Sequence, residues 1–218
     1  MTSTEREIKY LVSWEDFNHL RHLRYPGHTV EHQVITNAYF DSGWELMRAG
    51  NTLRITTKNG HVPEAHLKLK AESRSSFYRI MIEQKEKLHG LAPSEVLHVE
   101  RIGRESGLPF IKFLDEVFGI EEVEKVAHAF INRFKVKVAE GITLDVDAVV
   151  CPMSSPQVFY EVEFECDDEE LLRVGERYIR SIPSAQLSVL SKYERMARPL
   201  FIEYAKSKYL LCNSDVLN

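Results

Sequence analysis

Residues 5–12 read Glu5-Arg6-Glu7-Ile8-Lys9-Tyr10-Leu11-Val12. Side chains along a strand alternate between two faces, so Glu5, Glu7 and Lys9 project the same way. Two carboxylates spaced by two residues stand roughly 7 Å apart on that face. They repel each other unless a cation lies between them. Taken alone, the stretch also fits an edge strand with a solvated charged face. The rest of the chain bears on that choice, because the same pattern returns.

Val34 to Asp41 is rich in β-branched and aromatic residues and predicts a strand. In Thr52-Leu53-Arg54-Ile55-Thr56 the face opposite Leu53 and Ile55 carries Arg54, and Lys58-Asn59-Gly60 predicts a hairpin turn. His66 to Lys70 places Lys68 and Lys70 together; Phe77 to Gln84 places Arg79, Met81 and Glu83 together. Further on, Arg133, Lys135 and Lys137 share a face, as do Asp145 and Asp147, and then Glu161, Glu163 and Glu165. Helical signals interleave with these strands. Ser13 is a candidate N-cap for a short helix over Trp14, Phe17 and Leu20, ended by Pro26-Gly27. From Pro93 to about Ile131 the apolar spacing changes to 3.6 and predicts three helices, the third over Val123, Val126, Ala127 and Phe130. Asp167 is a candidate cap for a helix running to Pro183, and a last helix is expected from Leu187 toward Tyr204. The tail beyond Lys206, about 206–218, is expected to fray.

Antiparallel sheets usually mix charges on their polar faces, whereas here whole strands are basic or acidic. An open sheet tolerates that in water. A sheet that closes places both sets around one cavity, with helices over its apolar outside, which is an α+β fold built on a β-barrel. Its acidic wall suits hard divalent cations through oxygen ligands. Its basic walls suit a polyanion, with arginine giving bidentate contacts and lysine a point charge.

The chain has 218 residues, 44% of them hydrophobic and 28% charged, the balance of a globular protein with room for one domain over 1–218 and its core in about 1–200. The net charge of -5 argues against a nucleic-acid partner. Cys151, Cys166 and Cys212 form no C-x-x-C pair and read as free thiols in a reducing compartment. No apolar run approaches a membrane span and the N-terminus carries no apolar signal region, so a cytoplasmic, membrane-free protein is expected. No residue argues for paired subunits, and a homodimer stays open. Nine histidines show no metalloprotease or triad order, and His66 reads as structural. A glycine-rich P-loop is absent.

Glu5-x-Glu7-x-Lys9 resembles the signature of the CYTH proteins, the triphosphate tunnel metalloenzymes. The likeness continues through Tyr39-Phe40-Asp41-Ser42, similar to the family's Y-F-D-T, then Arg54, the pair Lys68 and Lys70, Arg79 with Glu83, and Arg133. Asp145, the second E-x-E at Glu161 and Glu163, and Ser191-Lys192-Tyr193 follow in family order. Two positions depart from it: Thr56 and Ile131 stand where many members carry a base.

The resemblance implies an eight-stranded antiparallel tunnel, dependence on Mg²⁺ or Mn²⁺, and chemistry on triphosphates. It implies Glu5, Glu7, Asp145, Glu161 and Glu163 as metal ligands. Lys9, Arg54, Lys68, Lys70, Arg79, Arg133 and Lys192 would hold phosphates, and Glu5, Glu7, Lys9 and Lys192 would be catalytic. Hydrolysis of inorganic or organic triphosphate is the leading expectation. An adenylate cyclase of the same family, acting on a nucleotide, and a non-catalytic polyphosphate- or nucleotide-binding module are the alternatives.

Overall fold

A computed structural model describes the backbone of residues 2–72, 78–152 and 156–214, with side chains described from residue 3 to residue 205. Phe77, where a strand is expected to begin, and residues 153–155 of the expected Pro152–Pro156 loop lie outside the described residues, as does the side chain of Cys212.

Strand β1 (Thr2–Val12) is followed by α1 (Trp14–Leu20), whose N-cap Ser13 accepts a hydrogen bond from the Asp16 amide. β2 (Glu31–Asp41), the one-turn α2 (Glu45–Arg48), β3 (Thr52–Lys58), β4 (Glu64–Lys70) and β5 (Arg79–Lys87) come next. Asn59 and Gly60, both with positive φ, form a tight turn closed by the His61 amide donating to the Lys58 carbonyl, within the five-residue connection 59–63 between β3 and β4. After a 3-10 turn over Pro93–His98, β6 (Arg101–Gly103) and α3 (Pro109–Phe118) lead to β7 (Glu122–Ala139), β8 (Ile142–Cys151) and β9 (Gln157–Glu165). The last described elements are α4 (Glu169–Arg180), the two-residue β10 (Gln186–Leu187) and α5 (Lys192–Ser214).

All pairings are antiparallel, in the order β1-β5-β4-β3-β2-β7-β8-β9. β1 closes the ring. Its first half pairs with β5, from Thr2↔Gln84 to Glu7↔Arg79, and its second half with β9, from Glu7↔Glu165 to Val12↔Tyr160. Eight strands form the barrel, while β10 and β6 lie beside β1 and β7.

Alternation puts apolar residues outside, under helices. On one side Ile8, Tyr10, Val146 and Val162 pack against Phe17 and Leu20 of α1 and Leu172 and Ile179 of α4. On the other, Phe40, Leu53, Ile55 and Leu67 pack against Phe110, Ile111 and Leu114 of α3. A third cluster lies within the barrel. Tyr193, Met196 and Ala197 of α5 meet the inward residues Tyr39, Ala129, Ile131 and Val149 and fill one end. The interior is therefore a pit on an apolar plug.

Three sequence expectations are corrected. The expected third helix, over Val123 to Phe130, is the first half of β7. A register shift in the β2–β7 ladder between Tyr39 and Phe40 breaks the alternation there, so the apolar spacing imitates a helical turn. The first of the three expected helices is instead a 3-10 turn followed by β6. The cap of α4 is Asp168, which accepts from the Glu170 and Leu171 amides, one residue beyond Asp167. Two helix boundaries also differ. α1 ends at Leu20, before Pro26, and α5 begins at Lys192 because Gln186–Leu187 pairs with β1.

Packing between barrel and cover is tight at Gly175 of α4, where a Cβ would lie 2.3 and 2.7 Å from ring carbons of Phe164. Gly→Ala in a helix interior ordinarily gains about 1 kcal/mol. Here the clash with a buried ring reverses the sign, and Gly175→Ala is expected to lose roughly 1–3 kcal/mol in urea unfolding.

Candidate functional site

Inward positions converge on one cavity of about 100 Å³ between the strands and the start of α5. Glu7, Lys9, Arg54, Lys68, Arg79, Arg133, Glu163 and Lys192, all expected site residues, line it. Lys58, two residues beyond Thr56 on the same face of β3, lines it too and places a base near the position that Thr56 leaves neutral. Ile131 pairs with Ile35 in an apolar corner of the lining.

The acidic wall is a closed network. Lys192 Nζ lies 2.6 Å from Glu163 Oε1, 2.7 Å from Glu161 Oε2 and 3.0 Å from Asp147 Oδ2. Arg133 donates to Asp147 at 2.7 and 2.8 Å, to Glu163 at 2.7 Å, and to Asp145. Lys9 Nζ sits 2.7 Å from Glu163 and 3.5 Å from Glu7, while Lys135 reaches Asp145 at 2.8 Å. Beneath, Arg195 binds Glu161 and stacks on Phe159 with 4.5 Å from its guanidinium carbon to the ring centroid. Burial opposes ionisation of Glu7, Asp147 and Glu163, but adjacent cations outweigh it and hold these carboxyls below their usual range. Lysines 9 and 192 are raised by the same contacts against their own burial.

Glu5 lies elsewhere. It pairs with Lys68 at 2.5 Å beside Glu83, and burial together with Glu83 pushes its carboxyl up to about 7 despite Lys68. Glu161 sits opposite Leu11 on β1, six residues beyond Glu5, about 20 Å at the rise of a strand. With metal–oxygen distances of about 2.0–2.6 Å, no single ion reaches both Glu5 and Glu161. Asp147, Glu161 and Glu163 do converge, each offering an oxygen within 4.8 Å of the others. Hard, buried carboxylate oxygens so close together fit a hard divalent cation.

The basic wall differs. Arg54 Nε and Arg79 Nη1 are buried without a hydrogen-bond partner. Among the described residues no ion pair joins Arg54 to a carboxylate, while Arg79 meets Glu194 of α5 at 3.1 Å. Buried unpaired N–H groups are costly and rare, so this wall presents donors to an anion. Lys70 shares the parity of Lys68 but is exposed, in a groove with Arg48, Gly50 and Arg198 outside the cavity lining.

Several contributors lie outside the expected set. Asp147 shared the parity of Asp145 and is central. Arg195 lies one turn after Lys192 on α5, with no pattern in the sequence that marks it. His66 is buried, lines the cavity, and bonds Glu83 through Nδ1 at 2.8 Å. The Tyr-Phe-Asp run places Tyr39 in a stack on Tyr193, 5.3 Å between centroids. Asp41 accepts from the Tyr193 hydroxyl at 2.5 Å and from the Leu46 and Met47 amides, pinning α5. Lys137 bonds Glu140 outside the cavity, and the buried Cys151 thiol is pushed up to about 11 by burial and by Glu161. No helix among the described residues is long and apolar enough to cross a membrane.

Comparison with known proteins agrees with this geometry. The family model of the CYTH domain matches residues 3–197. An adenylyl cyclase candidate from Hippeastrum, reported to have a dominant triphosphatase activity, superposes with a TM-score of 0.65 at 20% identity, covering 89% of this chain and 96% of its own. An adenylate cyclase candidate from Bacillus halodurans gives 0.66 at 20%, covering 89% and 97%. A Pyrococcus horikoshii protein gives 0.55 at 17%, covering 89% and 99%. At these identities the likeness concerns the fold. No curated protein matches the chain in sequence.

Arg133→Met removes the fork shared by Asp145, Asp147 and Glu163 and is expected to cost about 3–5 kcal/mol in urea unfolding, because it leaves buried charge uncompensated. Glu7, Asp147 and Glu163 have lowered folded pKa values, so their stabilisation is present above the ordinary carboxylate range and lost as pH falls through the lowered values. The urea midpoint is expected to drop as pH is taken from about 5 to about 2.

Proposed function

The chain belongs to the CYTH family, and from that premise we propose that it is a divalent-metal-dependent triphosphatase. The observation that carries this reading is the pair of buried, unpartnered guanidinium nitrogens on Arg54 and Arg79, on the lining of a cavity to which the acidic wall contributes Glu7 and Glu163. A protein that only neutralised its own charges would leave no such donors. A polyphosphate completes them.

In this reading the substrate phosphates lie against Arg54, Lys68 and Arg79. Asp147, Glu161 and Glu163 would hold the divalent ion, with Glu7 beside them. Bound there, the ion supplies a Lewis acid that offsets phosphate charge and lowers the pKa of water. Water adds to the terminal phosphorus, the bond to the bridging oxygen breaks, and diphosphate, orthophosphate and a proton are released. The arginine donors stabilise charge developing on the leaving diphosphate. The narrow pit keeps bulk water from screening these contacts.

Hydrolysis is favoured over cyclisation by the lining of the cavity, whose depth is taken up by charged side chains that suit phosphates. Cyclisation needs the ribose hydroxyl and α-phosphate together inside. Attack on a terminal phosphate lets any organic part stay at the mouth. The dominant triphosphatase activity reported for the Hippeastrum protein agrees with this reading.

The test is to incubate the pure protein with Mg²⁺ or Mn²⁺ and tripolyphosphate, thiamine triphosphate or ATP, and to identify products. Orthophosphate is expected; cyclic AMP would replace hydrolysis with cyclisation, and tight binding without turnover would leave a binding module. Arg54→Ala is expected to lower kcat/KM for the best substrate by about 10²–10³, the scale for one donor to developing charge. Glu163→Gln is expected to abolish turnover in a folded protein.

A further inference from the structure

Resting on that reading, we propose that the Lys192 ammonium is the resident counter-ion of the metal-binding carboxylates. The incoming divalent cation displaces it, and the freed side chain turns to the phosphates. Metal binding and substrate binding are thereby coupled through one side chain.

The geometry points to exchange rather than coexistence. The three carboxylates nearest Lys192 Nζ, at 2.6, 2.7 and 3.0 Å, belong to Glu163, Glu161 and Asp147. The same three residues bring oxygens within 4.8 Å of one another. A divalent ion bound by those oxygens at about 2.0–2.6 Å takes the space between them. Nζ already fills it. An ammonium has three N–H donors, and here three carboxylates surround it, so in this position Lys192 has none left for a phosphate.

Release needs no movement of the helix. Lys192 is the first residue of α5, and its neighbour Tyr193 is pinned through Asp41. The four-carbon stem swings from a fixed base. Lys192 already lines the cavity beside Lys9 and Arg133, so a short swing brings its charge to the anion side. Exchanging one positive charge for two at the acids, while moving the first toward the substrate, raises the potential felt by a polyanion. By linkage, bound polyanion then tightens the metal in turn.

Arg133 does not share this role. Its planar fork is fixed from the side by Asp145, Asp147 and Glu163 at once, and a guanidinium cannot leave one acid without leaving the others.

The experiment measures Mn²⁺ binding by calorimetry to the full chain without substrate. Wild type is compared with Lys192→Met and with Lys9→Met, a charge-matched control that touches Glu163 but leaves the Asp147 and Glu161 contacts in place. Lys192→Met is expected to bind Mn²⁺ roughly tenfold more tightly than wild type, since no ion pair has to be broken first, and more tightly than Lys9→Met. Equal or weaker binding than wild type, or equality with Lys9→Met, overturns the exchange. Circular dichroism checks folding. If Lys192→Met does not fold, the wild-type protein decides. Acylation of Lys192 by an amine reagent, read by peptide mass, is expected to increase several-fold on adding Mg²⁺, and unchanged labelling overturns the proposal. Failure of every protein to bind Mn²⁺ overturns the metal reading itself, and the exchange with it.

Discussion

β1 gives its first half to β5 and its second half to β9, and that double pairing is the constraint on which everything else rests. With β1 shared, the sheet has no free edge between its acidic and basic strands. Charged faces that an open sheet would leave in water are turned into a space of low dielectric. There an isolated charge costs several kcal/mol after relaxation, so it must be compensated. The apolar faces, turned outward by the same alternation, recruit α1, α4 and α3 as cover. Barrel closure thus decides both the charged interior and the helical exterior.

Within that space the two walls solve the problem differently. The acidic wall is satisfied by the chain: Lys9, Arg133, Lys135, Lys192 and Arg195 each meet a carboxylate. The basic wall is not. Arg54 and Arg79 keep buried donors without partners, and Lys58 stands at the mouth with its ammonium pKa lowered by burial and by Arg133 and Lys135. Unsatisfied donors of this kind are retained at the expense of stability. The imbalance lies in the direction that a polyanion corrects. Helix α5 links the walls, since Lys192 and Arg195 serve the acids while Glu194 holds Arg79.

Much of this is legible in the sequence because strand parity is a local property. Glu7, Lys9, Arg54, Lys68, Arg79, Arg133 and Glu163 each sit on a run whose alternation predicts their face, and each lines the cavity. The third expected helix failed for an equally local reason: one bulge in the β2–β7 ladder shifts the period and makes a strand resemble a helix. Lys70 shows the limit of parity, which tells the face of a strand but not the depth along it. Arg195 and Asp147 show another limit. Their weight comes from partners 34 and 14 residues away, Glu161 and Arg133.

The sequence by itself determined that acidic and basic strands would turn their charges to one side, and that the chain carries the ordered residues of the CYTH family. Only the tertiary structure decided which acids meet. Register and axial offset between β1 and β9 are set by pairing across some 150 residues of chain, on the order of the whole domain. They separate Glu5 from Glu161 and gather Asp147 with Glu161 and Glu163. The same long-range packing places α5 across one end and sets a lysine among three carboxylates, a contact that no local pattern encodes.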